Sequence, residues 1–94
     1  LFEITTMDVT VAGIAAHDRV PGTDYTIPEA AKVSGYNLAG IVGTMSSNYR
    51  IHSQSHHVVD NDTIFAGFSN TTATATSANT TFTFYLLWLK GTKA

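Results

Sequence analysis

The segment from Thr80 to Lys90 constrains the fold more than any other stretch. It reads Thr-Thr-Phe-Thr-Phe-Tyr-Leu-Leu-Trp-Leu-Lys. Alternation puts Phe82, Phe84, Leu86 and Trp88 on one side of an extended strand. The other side carries Thr81, Thr83, Tyr85, Leu87 and Leu89, and it turns from polar to apolar along its length. A strand that is apolar on both sides has something packed against both. In a β-sandwich only one face of a strand meets the opposite sheet. The second face, Tyr85, Leu87 and Leu89, therefore points to a neighbouring domain or subunit, and it is the expected oligomer interface.

The rest of the chain shows further strand patterns divided by turn residues. Phe2, Ile4 and Thr6 alternate at the start, then Val9 and Val11 share a face, and β-branched residues dominate from Phe2 to Val11. Ala12 to Ala16 reads as a kinked extension at Gly13 or as the start of a loop. His17 to Asp24 is expected to be a loop. Within it, Val20-Pro21-Gly22-Thr23 has the residues of a turn, because proline fixes one φ and glycine supplies the next. Tyr25-Thr26-Ile27 is a short strand ended by Pro28. Glu29 to Val33 is the only stretch suited to a helical turn, and Ser34-Gly35 stops it. Tyr36 to Met45 is a glycine-broken apolar strand, buried or packed closely on another backbone. Asn48 to Asp60 and Thr63 to Asn70 make a hairpin around Asp60-Asn61-Asp62. In that hairpin Tyr49 and Ile51 share one face, and Arg50, His52 and Gln54 share the other. Thr71 to Asn79 has little to bury and reads as a loop or weak edge. These strands predict one all-β domain over residues 1–94, a small antiparallel β-sandwich of jelly-roll-like type.

Composition narrows what supports and surrounds such a domain. A chain of 94 residues buries a modest core and usually needs a disulfide, a metal or a partner. It has no cysteine, so disulfides and thiolate metal sites are excluded, and association with further copies remains. Net charge is −2 and only 13% of residues are charged, which gives nucleic acid and anionic membranes no electrostatic footing. No apolar run approaches the roughly 20 residues that span a bilayer. The first residue is Leu, and the expectation is the C-terminal part of a longer protein. Threonine is abundant, so much of the surface is hydroxyl, amide and apolar. That surface suits sugars or other copies of the chain.

The order of elements in the second part carries a resemblance. Gly35-Tyr36 opens the glycine-broken strand Leu38-Ala39-Gly40-Ile41-Val42-Gly43, and a polar strand from Tyr49 to Val58 follows. A strand ending in Ser69-Asn70, a loop, and the closing Thr81 to Lys90 strand complete it. From Val33 to Lys90 this resembles the C-terminal β-sandwich domains of bacteriophage tail-fibre, baseplate and receptor-binding proteins. The resemblance implies a homotrimeric tip that binds host-surface saccharide, or a structural module that places such a tip among other tail proteins of the virion. An accessory carbohydrate-binding module of a secreted protein is the remaining alternative.

Catalytic and metal chemistry find little footing. His52, His56 and His57 cluster near Asp60 and Asp62, but at strand rise His52 and His56 stand about 13 Å apart, too far for one ion. A solvated strand is the simpler reading, and no metal or cofactor is expected. A set of these histidines around a trimer axis would make assembly pH-sensitive. There is no Gly-x-Ser-x-Gly elbow, and Gly67-Phe68-Ser69-Asn70 lacks the second glycine. Glu3 and Glu29 are the only glutamates, so a glycosidase pair would have to draw on aspartates. The expectation is a protein that is not an enzyme. Saccharide binding needs an aromatic plane and planar polar groups. The candidates are Asp18, Arg19 and Tyr25, together with Arg50, His52 and Gln54. Tyr36, Tyr49 and Trp88 read better as core residues. Three Asn-x-Thr sequons begin at Asn61, Asn70 and Asn79; they are glycan acceptors only in a secreted eukaryotic protein.

Overall fold

The computed structural model describes residues 1–44, 49–51, 57–59, 61–75 and 79–91, and for 49–51 and 57–59 the backbone alone. Among the described residues seven strands run in the order β1 (Phe2–Ala12), β2 (Arg19–Thr26), β3 (Tyr36–Gly43), β4 (Tyr49–Ile51), β5 (His57–Val59), β6 (Thr63–Asn70) and β7 (Asn79–Lys90). The one helical element among the described residues is a 3-10 turn, Glu29–Ala31, after Pro28. All strand pairings are antiparallel. One sheet has the order β1-β7-β3; the other has β2-β6-β4, with β5 on β6 beside β4. Thus β1, β3 and β7 lie in one sheet and β2, β4, β5 and β6 in the other, and the early strands cross between layers as in a jelly roll. The all-β sandwich expected from the sequence is what the chain forms.

The core lies between the sheets. Phe82, Phe84, Leu86 and Trp88 of β7 face Ile64, Ala66 and Phe68 of β6, and all are buried. Met7, Val9 and Val11 complete the inner row of β1. Phe68 joins the layers: its ring stacks on Phe82 at 4.3 Å and meets Phe84 at 6.3 Å and Tyr25 at 6.1 Å. Thr5 Oγ1 accepts a hydrogen bond from Trp88 Nε1 at 2.8 Å and donates to the Ala31 carbonyl, which ties the 3-10 turn to the sheet.

Each end of β6 is tied down by an asparagine. At one end, Leu38 N–H donates to Asn61 Oδ1 at 2.9 Å, and Asn61 Nδ2 donates to Asn37 Oδ1 at 3.0 Å. Lys32 bridges Glu29 and Asp62 at the same end. At the other end Asn70 is the buried polar residue among those described. Its Nδ2 donates to the carbonyls of Ile14, Ala15 and Thr74, and its Oδ1 accepts from Thr72 N–H and Oγ1. This network closes the β1–β2 and β6–β7 loops together. It also removes Asn70 as a glycan acceptor, because its amide nitrogen is enclosed and fully used.

Several sequence expectations need correction. His17 to Asp24 is not a loop: β2 begins at Arg19, and Pro21-Gly22 falls at a bulge between Val20 and Thr23. An edge strand tolerates proline because one side of its backbone needs no partner. Gly22 serves close approach rather than turning; a Cβ there would lie 2.4 Å from the Phe65 ring. Of the two readings of Ala12 to Ala16, the start of a loop holds: the strand ends at Ala12, and Ile14 returns to the core. The β3 strand carries a bulge between Leu38 and Gly40 and ends at Gly43. The expected strand from Asn48 to Asp60 is described as β4 and β5 on one edge of β6, with residues 52–56 and 60 outside the described residues.

Candidate functional site

Register decides what the outward sides of the strands hold. Lys90 N–H donates to the Leu1 carbonyl at 3.2 Å, and Phe2 stands opposite Leu89. Antiparallel pairing alternates bonded and non-bonded pairs, so odd residues of β1 bond to β7 and even ones point their N–H and C=O to open edge. The even side chains form the outer row. Along β1 these are Phe2, Ile4, Thr6, Asp8 and Thr10, facing Leu89, Leu87, Tyr85, Thr83 and Thr81 of β7. On the far side of β7, Asn37, Gly40 and Val42 face Leu89, Leu87 and Tyr85.

This outer face divides into two halves. One half is hydroxyl-rich and internally bonded. Thr83 Oγ1 donates to Asp8 Oδ1 at 2.8 Å, Thr10 and Thr81 hydroxyls lie 3.0 Å apart, and Thr83 N–H donates to Thr44 Oγ1 at 3.0 Å. The other half has no such polar net. Phe2, Ile4, Val42 and Tyr85 are 61%, 58%, 66% and 45% exposed, and Leu87 and Leu89 lie half-buried between them. A hollow of about 270 Å³ opens here, lined by Ile4, Gly40, Ile41, Val42, Tyr85 and Leu87. The residues expected at an oligomer interface, Tyr85, Leu87 and Leu89, therefore share one apolar patch. Sequence reading missed Phe2, Ile4, Gly40 and Val42 as members of it. Alternation within β1 separates Phe2 and Ile4 from Val9 and Val11, but only pairing with β7 shows that Phe2 and Ile4 lie beside Leu89 and Leu87.

The saccharide candidates separate. Arg19 and position 50 both stand opposite Ser69, so the two arginine positions flank one serine on the outer row of the second sheet. Asp18 adjoins this row, but its Oδ1 accepts from Arg19 N–H at 2.8 Å and its carbonyl accepts from Asn70 N–H at 2.9 Å. Tyr25 does not join them. It stands opposite Ile64 on the inner row and packs edge-on against Phe68. Burial pushes its phenol pKa up. His52 and Gln54 lie outside the described residues. Tyr36 packs against the core, as expected.

Among the described residues no three His, Asp or Glu side chains converge as metal ligands. His52, His56 and Asp60 lie outside that set. No described helix is long and apolar enough to cross a membrane. What the described residues do present is a small sandwich with one greasy outer patch and, on the opposite sheet, a row with two arginine positions. No family model, curated protein or solved structure matches the chain.

Proposed function

We propose that this chain is a non-enzymatic assembly domain of a phage tail or baseplate, a trimeric tip whose copies meet through the apolar half of the β1-β7-β3 sheet. One observation carries the reading. Phe2, Ile4, Val42, Tyr85, Leu87 and Leu89 form a contiguous patch on a chain with few charges. Their exposed area is on the order of 500 Å², toward the upper end of what single soluble chains leave uncovered. A standard interface takes about 800 Å² from each partner and is roughly 55–65% apolar; this patch with a rim of Thr6, Asn37 and Lys90 has that balance and supplies part of that area, which suits small contacts that come apart on dilution. The resemblance of Val33 to Lys90 to tail-tip sandwiches supports the trimer and the virion setting. Static light scattering tests it: the chain should give three times its 10.1 kDa mass at high concentration and dissociate on dilution. A single-chain mass at every concentration contradicts it.

Adhesion to host-surface saccharide is a second reading, favoured by the Arg19–Ser69–position 50 row on the sheet that assembly leaves free. Arginine at two register positions on either side of one serine suits acidic sugars. Retention on an acidic polysaccharide column that Arg19→Ala abolishes supports adhesion. Equal elution of both forms leaves a structural assembly domain.

A further inference from the structure

The apolar patch is not flat, and its relief defines how a second copy fits. The β3 bulge after Leu38 brings Gly40 opposite Leu87, so the middle row of the patch reads Ile4, Leu87, Gly40. Glycine leaves a gap in that row, and the 270 Å³ hollow stands above it. A Cβ built on Gly40 meets nothing within 4 Å, and its φ lies outside the left-handed region. Among the described residues, no neighbouring atom and no left-handed φ therefore demands glycine there. The space itself is the feature to explain.

A projecting ring sits at the other border of the same face. Phe2 is 61% exposed on the next row, opposite Leu89. Its strand is two strands away from Gly40, roughly 10 Å across the sheet. A benzene-sized ligand fits an apolar cavity of about 150 Å³, so the hollow has room for a phenyl ring. Knob and socket thus lie on opposite borders of one face.

We propose that the hollow over Gly40 is the socket for the Phe2 ring of a second copy of this chain. This inference deepens the assembly reading and rests on it. The occupant is a sister copy because the patch, on the order of 500 Å² against about 800 Å² for one side of a standard interface, has an interface's apolar share and most of its area, and because the same face supplies both halves of the fit. A contact joining one border of a face to the opposite border of the next copy is heterologous, and such contacts close into rings when the rotation permits. Buried aromatic anchors in matching pockets carry most of the energy of an interface.

The test uses light scattering on Phe2→Ala, which removes the knob, and Gly40→Leu, which fills the socket. Circular dichroism and thermal melts confirm that both variants fold. Each variant alone should weaken self-association at least about tenfold, the loss expected for an anchor residue. Mixed together they should form a one-to-one pair, because Gly40→Leu still offers its Phe2 and Phe2→Ala still offers its socket. A wild-type chain that oligomerises and is broken by Leu87→Asp, but not by Gly40→Leu or Phe2→Ala, overturns the knob and socket and leaves the assembly reading standing. A wild-type chain that stays monomeric overturns both.

Discussion

At the scale of single residues, two buried polar groups have opposite standing. Asn70 satisfies every donor and acceptor that it has, and its bonds hold two loops together. Removing it leaves several partner groups without a bond in a place where water enters poorly. Asn70→Ala should cost about 2–4 kcal/mol in urea unfolding, the range for a broken buried network. A loss near zero contradicts the assigned role. Thr80 is the reverse case: its Oγ1 is the one buried side-chain polar atom without a partner among the described residues. Val has nearly the same shape and no hydroxyl. Thr80→Val should raise stability by about 1 kcal/mol, the ordinary cost of an unmet buried hydroxyl; a loss of stability points to a bound water there. Little of this was visible in the sequence. Asn70 stood there as the end of a strand and the start of a sequon, and Thr80 as one more threonine; the role of Asn70 comes from loops that meet in space.

At the scale of elements, the strands were largely legible and their pairings were not. Strong alternation in Thr80 to Lys90 and Thr63 to Asn70 gave β7 and β6 nearly to the residue. The Pro21-Gly22 signal misled, since a bulge on an edge strand uses the same residues as a turn. Edges also sort the possible contacts between copies. Strand β1 pairs with β7 over all of Phe2 to Ala12 with no register shift, and its even residues leave an open edge. Strand β2 carries a proline and a bulge, and β3 carries a bulge, devices that blunt an edge. Thr6→Pro removes an outward N–H and spares the β7 ladder. If copies meet face to face, that variant should keep the oligomer intact in sedimentation; if they add strand to strand through β1, it should break it.

The end of the sandwich near the 3-10 turn gives the fold a sensitivity to alkali. Lys32 has its pKa raised by hydrogen bonds to Asp62 and Glu29, and Tyr25 has its pKa raised by burial. Both groups hold their protons more tightly in the folded chain. The unfolded chain releases them first, near pH 10, so their contribution is complete below that value and is lost as pH rises through the folded values. The melting temperature should fall steadily above about pH 10, where these two side chains titrate. A melting temperature that is level or rising there contradicts the sign.

At the scale of the whole molecule, shape and surface agree. The chain measures 45 × 23 × 20 Å, with a radius of gyration of 14.2 Å. A globular domain of this length has a radius nearer 12–13 Å. The excess length matches β7, whose 12 residues extend about 40 Å at strand rise. An elongated sandwich has more surface to cover than a round one, and this chain covers part of it with apolar rows instead of charge. The closing segment announced that surplus in the sequence, since Tyr85, Leu87 and Leu89 had no layer of their own to pack on. What the sequence could not supply was the patch itself, because Phe2 and Ile4 join it from the far end of the chain.

In the proposed assembly sister chains cover the greasy half of the outer sheet, and charge placed at its centre tests that directly. Leu87→Asp should leave a cooperative melt, since the side chain lies outside the core, while the scattering mass falls from three chains to one. A mass unchanged by that aspartate, with the fold intact, would mean that this surface faces water and that the account is wrong.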